Sequence, residues 1–190
     1  MLTIGVLALQ GDFAAHARML AQLGAEPREV RVPADLGGLD GLVIPGGEST
    51  TMTLGIEREG LAEPLRELAR GGTPVFGTCA GLIMLDRAHL GIMDVLATRN
   101  AFGRQVHSFE EDLTIAGVEG PPVRAVFIRA PWVAELGDGV EVLAAVDGHP
   151  VAVRQDHLLA ISFHPELSGE PRLHERFLAM VERAAAERAS

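Results

Sequence analysis

The sequence predicts an α/β protein of three layers: an open, mostly parallel sheet, helices on both faces, and antiparallel additions. Three observations carry this expectation. Short runs around Thr3–Gln10, Gly41–Ile44, Pro74–Phe76 and Leu158–Phe163 are nearly all apolar, as strands buried on both faces are. Stretches with apolar residues at helical spacing alternate with these runs. Turns rich in glycine, proline and hydroxyl residues follow the runs at their carboxyl ends.

Taken in order, Thr3 to Gln10 reads as the first strand, broken by Gln10-Gly11-Asp12. Asp12 suits a helix N-cap, and Phe13, Ala17, Leu20 and Leu23 mark the buried stripe of the helix that Gly24 closes. Glu29 to Val32 reads as a second strand, Pro33 to Asp40 as a loop or broken helix, and Gly41 to Ile44 as a third strand. The loop Pro45-Gly46-Gly47-Glu48-Ser49-Thr50-Thr51 comes next, with Ser49 or Thr50 expected to cap a helix. Its two glycines let backbone N–H groups approach a ligand, or simply make a β-to-α turn. A helix is expected over Leu61 to Arg70, stopped by Gly71-Gly72. Further on, Leu113 to Ile115 and Val123 to Ile128 read as strands, and Val140–Val146 with Val151–Gln155 as a hairpin turning at Asp147-Gly148. These strands are expected to extend the main sheet. Leu158 to Phe163 is a last buried strand, and Arg172 to Ala186 a closing amphipathic helix with Leu173, Phe177, Met180 and Val181 inward.

Composition narrows the function. A chain of 190 residues, 47% hydrophobic and 22% charged, is expected to form one soluble globular domain, 1–190. A formal net charge of -10 argues against binding nucleic acid through phosphates. One cysteine cannot close an intrachain disulfide, which suits a reducing compartment. The first apolar run follows no basic region, and no run is long enough to span a bilayer, so a cytoplasmic protein without membrane attachment is expected. Neither Gly-x-Gly-x-x-Gly nor Gly-Lys-Ser/Thr occurs, and no Cys/His cluster offers a metal site.

The chemistry centres on Gly77-Thr78-Cys79-Ala80-Gly81, a strand-turn-helix with the form of a nucleophile elbow and cysteine in the nucleophile's place. The helix N-terminus beyond it favours negative charge, and so a thiolate; the alternative is an inert buried cysteine. The last strand runs into His164-Pro165-Glu166. Proline holds His164 extended, and residues two apart in an extended chain share a side, so Glu166 can orient the imidazole. His16, His89, His107, His149, His157 and His174 have no comparable setting and receive no role. Arg99, in the irregular stretch Arg99 to Gln105, could grip a carboxylate or simply be solvated.

Those residues resemble the class I (triad) glutamine amidotransferases, most closely the family of glutaminase subunits of pyridoxal 5'-phosphate synthases. The resemblance rests on Gly5–Gly11, Pro45–Thr51, Phe76–Gly81, Arg99–Gln105, Phe127–Pro131 and Ser162–Glu166. It implies a flavodoxin-like sheet, a Cys79–His164–Glu166 triad, an oxyanion hole from the N–H groups of Gly47 and Ala80, and L-glutamine held by Gly47, Glu48, Ser49, Arg99, Ile128 and Arg129. It implies no cofactor and no metal. The implied partner is a (β/α)8-barrel synthase that takes the ammonia, in a ring of twelve synthase subunits carrying up to twelve glutaminases. The family resemblance also points to Gln10 as a relay to the Gly46–Gly47 peptide, whose reorientation on docking would supply the oxyanion donor. Two other readings share these residues: a glutaminase serving another synthase, such as that for imidazole glycerol phosphate, and a DJ-1-type protein with an elbow cysteine and no glutamine turnover.

Overall fold

A computed structural model gives the fold and describes residues 1–103 and 108–190. Arg104 and Gln105 of the Arg99–Gln105 stretch, and His107, lie outside the described residues. In chain order the elements are β1 (Thr3–Leu7), α1 (Phe13–Gln22), β2 (Glu26–Val30), a 3-10 turn (Pro33–Leu36), β3 (Gly41–Ile44), α2 (Ser49–Arg58), α3 (Ala62–Arg70), β4 (Val75–Thr78) and α4 (Ala80–Leu85). There follow β5 (Val95–Thr98), β6 (Ser108–Leu113), β7 (Val123–Ile128), β8 (Trp132–Leu136), β9 (Glu141–Val146), β10 (His149–Gln155), β11 (Leu158–Ile161), α5 (Pro165–Ser168) and α6 (Arg172–Ala189).

The main sheet has seven strands in the order β2-β1-β3-β4-β11-β10-β9. The first five are parallel and the last two add antiparallel at the edge. That parallel order is the flavodoxin-like one, with β11 in fifth place. Burial on both faces explains the apolar runs. Val43, Phe76, Leu159 and Ile161 point to the side that packs α1 and α6, with Leu20, Phe177 and Val181. Their neighbours Leu42, Ile44, Val75, Leu158 and Ala160 point to the opposite side, with Met52, Leu65 and Leu82 of α2, α3 and α4. Every residue of β3, β4 and β11 is buried, so the alternation is between two cores rather than between core and water.

The expected additions divide in two. The β9–β10 hairpin joins the main sheet as expected, but among the described residues β6 pairs only with β7, and β5 only with β8, as separate antiparallel ribbons. The strands β5 and β8 are not among the sequence expectations, and β6 starts earlier than Leu113. Ser108 to Asp112 are polar and largely solvent-facing, so no apolar run announces that strand. The second strand runs from Glu26 to Val30, not Glu29 to Val32. The N–H groups of Arg31 and Val32 instead donate to the Asp35 carboxylate, at 2.9 and 3.1 Å, which ends the strand. Asp12 makes no side-chain capping bond to α1. The cap of α2 is Glu48 rather than Ser49 or Thr50: its carboxylate accepts from Thr50 and Thr51 N–H at 3.1 and 2.7 Å.

The elbow sets the packing of α4 on β3. A Cβ at Gly81 would overlap the carbonyl oxygen of Ile44, a backbone atom that cannot yield. Helix propensity alone favours alanine there by about 1 kcal/mol. We expect Gly81→Ala nevertheless to destabilise the protein by about 2–3 kcal/mol, while Gly139→Ala, with no atom within 4 Å of the added carbon, leaves the urea midpoint unchanged. A neutral or stabilising Gly81→Ala would show that the elbow can relax.

Candidate active site

The site forms at the carboxyl ends of β1, β3, β4 and β11. The reversal of strand order between β1 and β3 opens a crevice there, where open α/β sheets bind ligands. Parallel pairing sets Ile161 opposite Thr78, and the N–H of Cys79 then donates to the Ile161 carbonyl at 2.8 Å. The two strands therefore release Cys79 and His164 on one rim. The N–H of His164 donates to the carbonyl of Val126 at 2.9 Å, which ties that turn to β7.

Cys79 has φ 51° and ψ -109°, a conformation that costs a non-glycine residue about 1–3 kcal/mol. The strain lifts the side chain off the strand as a nucleophile elbow requires. Its thiol lies 3.9 Å from the carbonyl oxygen of Ile128 and faces the cleft. Gly46 packs beside both side chains: a Cβ there would sit 2.6 Å from Cε1 of His164 and 3.2 Å from Cβ of Cys79. This steric need for glycine at 46 is invisible from the sequence, which points only to the freedom of the Gly46–Gly47 backbone.

Nδ1 of His164 lies 2.6 Å from Oε1 of Glu166, whose side chain is wholly buried. The pair forms as expected but by another route. Pro165 and Glu166 open the short helix α5, so Glu166 reaches back from a first helical turn, not along an extended chain. Burial acts to lower the pKa of His164, but its hydrogen bonds and charge interactions with Cys79 and Glu166 outweigh that and push it up to about 10. The shift favours the charged imidazole, held between thiol and carboxylate. Asp12, expected only as a cap, turns its carboxylate toward the same ring, with Oδ2 at 3.9 Å from Nδ1.

A cleft of about 390 Å³ lies in front of the thiol. Gly47, Glu48, Ser49, Cys79, Ala80, Arg99, Ile128, Arg129 and His164 all line it, joined by Asp12, Ile83, Asn100 and Pro131. Of the expected site residues only Glu166 is absent from the lining, because it stands behind His164. Arg129 and Asn100 both carry positive φ, at 44° and 45°. Arg99 donates to Oγ1 of Thr50 at 3.3 Å, so it sits across the mouth of the cleft. The carboxylate of Glu48 is engaged in capping α2, whose N–H groups draw its pKa down to about 2. Its own N–H donates to Oε1 of Gln10 at 2.6 Å. The carbonyl of Gly46 accepts from Asp12 N–H at 3.3 Å.

Sequence reasoning missed two histidines. His16 of α1 and His174 of α6 are both completely buried; His16 stands directly behind Glu166, and His174 behind His16. The helical spacing that places Ala17 and Leu20 inward also permits His16 inward, but nothing in the sequence shows what it would meet.

An elbow cysteine, an imidazole at the end of a neighbouring strand and a buried carboxylate behind it, on a flavodoxin-like sheet, are the construction of a class I glutamine amidotransferase. The comparisons agree. Residues 6–183 match the SNO glutamine amidotransferase family, and the chain belongs to that family. It is 56% identical over 187 residues to the pyridoxal 5'-phosphate synthase subunit PdxT of Frankia alni, covering 94% of each chain. The PdxT of Corynebacterium jeikeium is 54% identical, over 97% of this chain and 99% of its own. A crystal structure of a glutamine amidotransferase superposes with a TM-score of 0.88 at 47% identity, covering 94% of this chain and 98% of that one. PurLQS from Thermotoga maritima shares the fold at a TM-score of 0.71 and 16% identity, over 99% of this chain and 98% of its own.

The raised value of His164 fixes the sign of a pH effect. A base whose folded pKa lies above its ordinary 6.5 stabilises the fold fully below that value and loses the contribution as pH rises through about 10. The melting temperature of the wild type relative to His164→Gln should therefore be highest below pH 6.5 and decline toward pH 10. A difference that stays flat across this window would show that the ring is neutral.

Proposed function

We propose that the chain hydrolyses L-glutamine to L-glutamate and ammonia and delivers the ammonia to a pyridoxal 5'-phosphate synthase. The observation that carries this reading is the Cys79 thiol and His164 on one cleft, with the buried Glu166 behind the imidazole, in a member of a glutamine amidotransferase family. The names of the 56% and 54% identical relatives support the choice of synthase over the imidazole glycerol phosphate alternative. Family membership and the His164–Glu166 pair speak against the DJ-1-type reading.

The thiolate of Cys79, paired with the imidazolium of His164, attacks the side-chain amide carbon of glutamine. The carbonyl π electrons move to oxygen and give a tetrahedral oxyanion. The N–H of Ala80, which opens α4 and has no intrahelical acceptor, and the N–H of Gly47 are its donors, each worth on the order of 3 kcal/mol. His164 then gives its proton to the departing nitrogen, which leaves as ammonia, and the thioester remains. A water deprotonated by His164 attacks the thioester, glutamate leaves, and the thiolate and imidazolium are restored. Glu166 holds the ring with Nε2 toward sulfur throughout. Arg99 and Arg129 suit the substrate's α-carboxylate, with Glu48, Ser49 and Ile128 completing the binding wall. No cofactor or metal enters these steps.

The partner is a barrel synthase, in the arrangement of up to twelve glutaminases on a ring of twelve that the family resemblance implies. We place the protein in the cytoplasm as one domain spanning 1–190; among the described residues no helix is long and apolar enough to cross a membrane. Docking acts on the Gly46–Gly47 peptide through Gln10 and the β1–α1 turn.

A glutamine-mimicking electrophile should add one mass equivalent at Cys79 and block turnover, and Cys79→Ala should lower glutamate release by about a thousandfold or more in the presence of the synthase. Adduct at any other residue, or turnover surviving Cys79→Ala, would overturn the site. Full activity of the isolated chain would remove the docking switch alone.

A further inference from the structure

Behind the triad lies a chain of buried polar groups that the proposed reaction does not use. Oε1 of Glu166 is taken by His164, whereas Oε2 is buried without a hydrogen bond that meets strict geometry. It faces Nε2 of His16 at 3.5 Å, with both side chains at zero exposure. The same Nε2 lies 3.2 Å from Oγ1 of Thr78, the residue before the nucleophile. On its other edge, Nδ1 of His16 lies 2.8 Å from Nε2 of His174.

The tautomers follow from what each atom can meet. Only one proton lies between the two rings. If His16 supplied it, its bare Nε2 lone pair would face a carboxylate oxygen, and His174 would bury an unpaired Nδ1–H. If His174 supplies it, Nε2–H of His16 points at Oε2 of Glu166 and at Thr78, and the unpartnered atom is Nδ1 of His174 as an acceptor. A buried orphan donor is the rarer and costlier outcome, and a lone pair against a carboxylate is repulsive, so the second arrangement holds.

We infer that His16, set in its Nε2–H tautomer by His174, is a positioning residue that supports the outer oxygen of Glu166 and thereby the orientation and charge of His164. The inference rests on the triad reading above. Burial, and then the neighbouring His174 and His164, keep His16 well below its ordinary pKa, and burial holds His174 at about 4. Both are neutral at working pH. A neutral N–H supports the carboxylate without adding a second cation to compete with the imidazolium. The ionisable groups facing Glu166 and His164 are Asp12 and His16 from the β1–α1 region, Cys79 from the elbow and, one ring further, His174 from α6.

The test is the pH dependence of Cys79 alkylation by iodoacetamide in the whole chain, alongside kcat, KM and the melting temperature. His16→Leu removes the donor, so the charged carboxylate and then the imidazolium lose support. The alkylation profile and the acid limb of kcat/KM should move up by about one pH unit, a roughly tenfold loss of reactivity on the acid side, with KM for glutamine unchanged. His16→Gln places an amide N–H near Nε2 and a carbonyl for His174 to donate to, and should retain the wild-type profile. Wild-type profiles in both variants, with only a lower melting temperature, would reduce His16 to a packing residue and overturn the inference. Should His16→Leu fail to fold, the wild type decides: 15N NMR should show the His16 ring protonated at Nε2 and bare at Nδ1, and a ring protonated at Nδ1 overturns the inference. A wild type with no reactive thiolate near neutral pH would instead sink the triad reading itself.

Discussion

The bond on which the rest depends is the one from Cys79 N–H to the carbonyl of Ile161. It continues the parallel ladder of β4 and β11 by one rung beyond the last paired residues, Thr78 and Ile161. A slip of one residue would invert the facing of every side chain on the strand, sending Phe76 to the wrong core. The two cores forbid that slip, since Phe76 packs with Phe177 on one side while Val75 packs on the other. Hydrophobic burial far from the cleft thus determines which residue becomes the nucleophile's neighbour. Chemistry follows from register, and register follows from packing.

Backbone crowding is the second constraint. Gly46, Gly77 and Gly81 surround the elbow, and a side-chain carbon on any of them would press into His164, the backbone of Gly81 or that of Ile44. The strained Cys79 needs these surroundings, because an unfavourable φ persists only where neighbouring contacts leave the chain no alternative. The glycines let β3, β4 and α4 approach closely enough to hold it. This is why the elbow belongs to the interior of the sheet and not to a loose surface loop.

Much of this was legible from residues alone. The three-layer class, the central strands, the elbow and the His-Glu pair each leave a local mark: an apolar run, a Gly-x-Cys-x-Gly turn, a His-Pro-Glu terminus. The residues that the family resemblance implies for glutamine, from Gly47 and Glu48 through Arg99 to Ile128 and Arg129, lie together on one cleft. What escaped lacks such a mark. β6 is a polar ribbon whose partner, β7, supplies the order. Glu48 displaces Ser49 as cap because the two oxygens of its carboxylate each reach one N–H, Oε1 that of Thr50 and Oε2 that of Thr51. His16 and His174 lie far apart in the chain, and only the packing of α1 against α6 brings them together behind Glu166. A histidine's meaning lies in its tertiary neighbours, which periodicity does not encode.

The two halves of the site are restrained differently, and that difference bears on control. The proposed acid–base half, His164 with Glu166, His16 and His174, is buried and held by α1, α5 and α6. The proposed oxyanion half is held near the surface, by Gln10 on the Glu48 N–H at 2.6 Å and by Asp12 N–H on the Gly46 carbonyl at 3.3 Å. Buried hydrogen bonds between side chains resist change because breaking one leaves a desolvated polar group. Exposed ones exchange readily with water or with a partner's groups. A surface that docks against the β1–α1 turn can therefore reset the Gly46–Gly47 peptide without disturbing the thiol's base. Nucleophile activation would then stand ready in the free chain, while stabilisation of the oxyanion waits for the partner, so that ammonia is released only where it can be used.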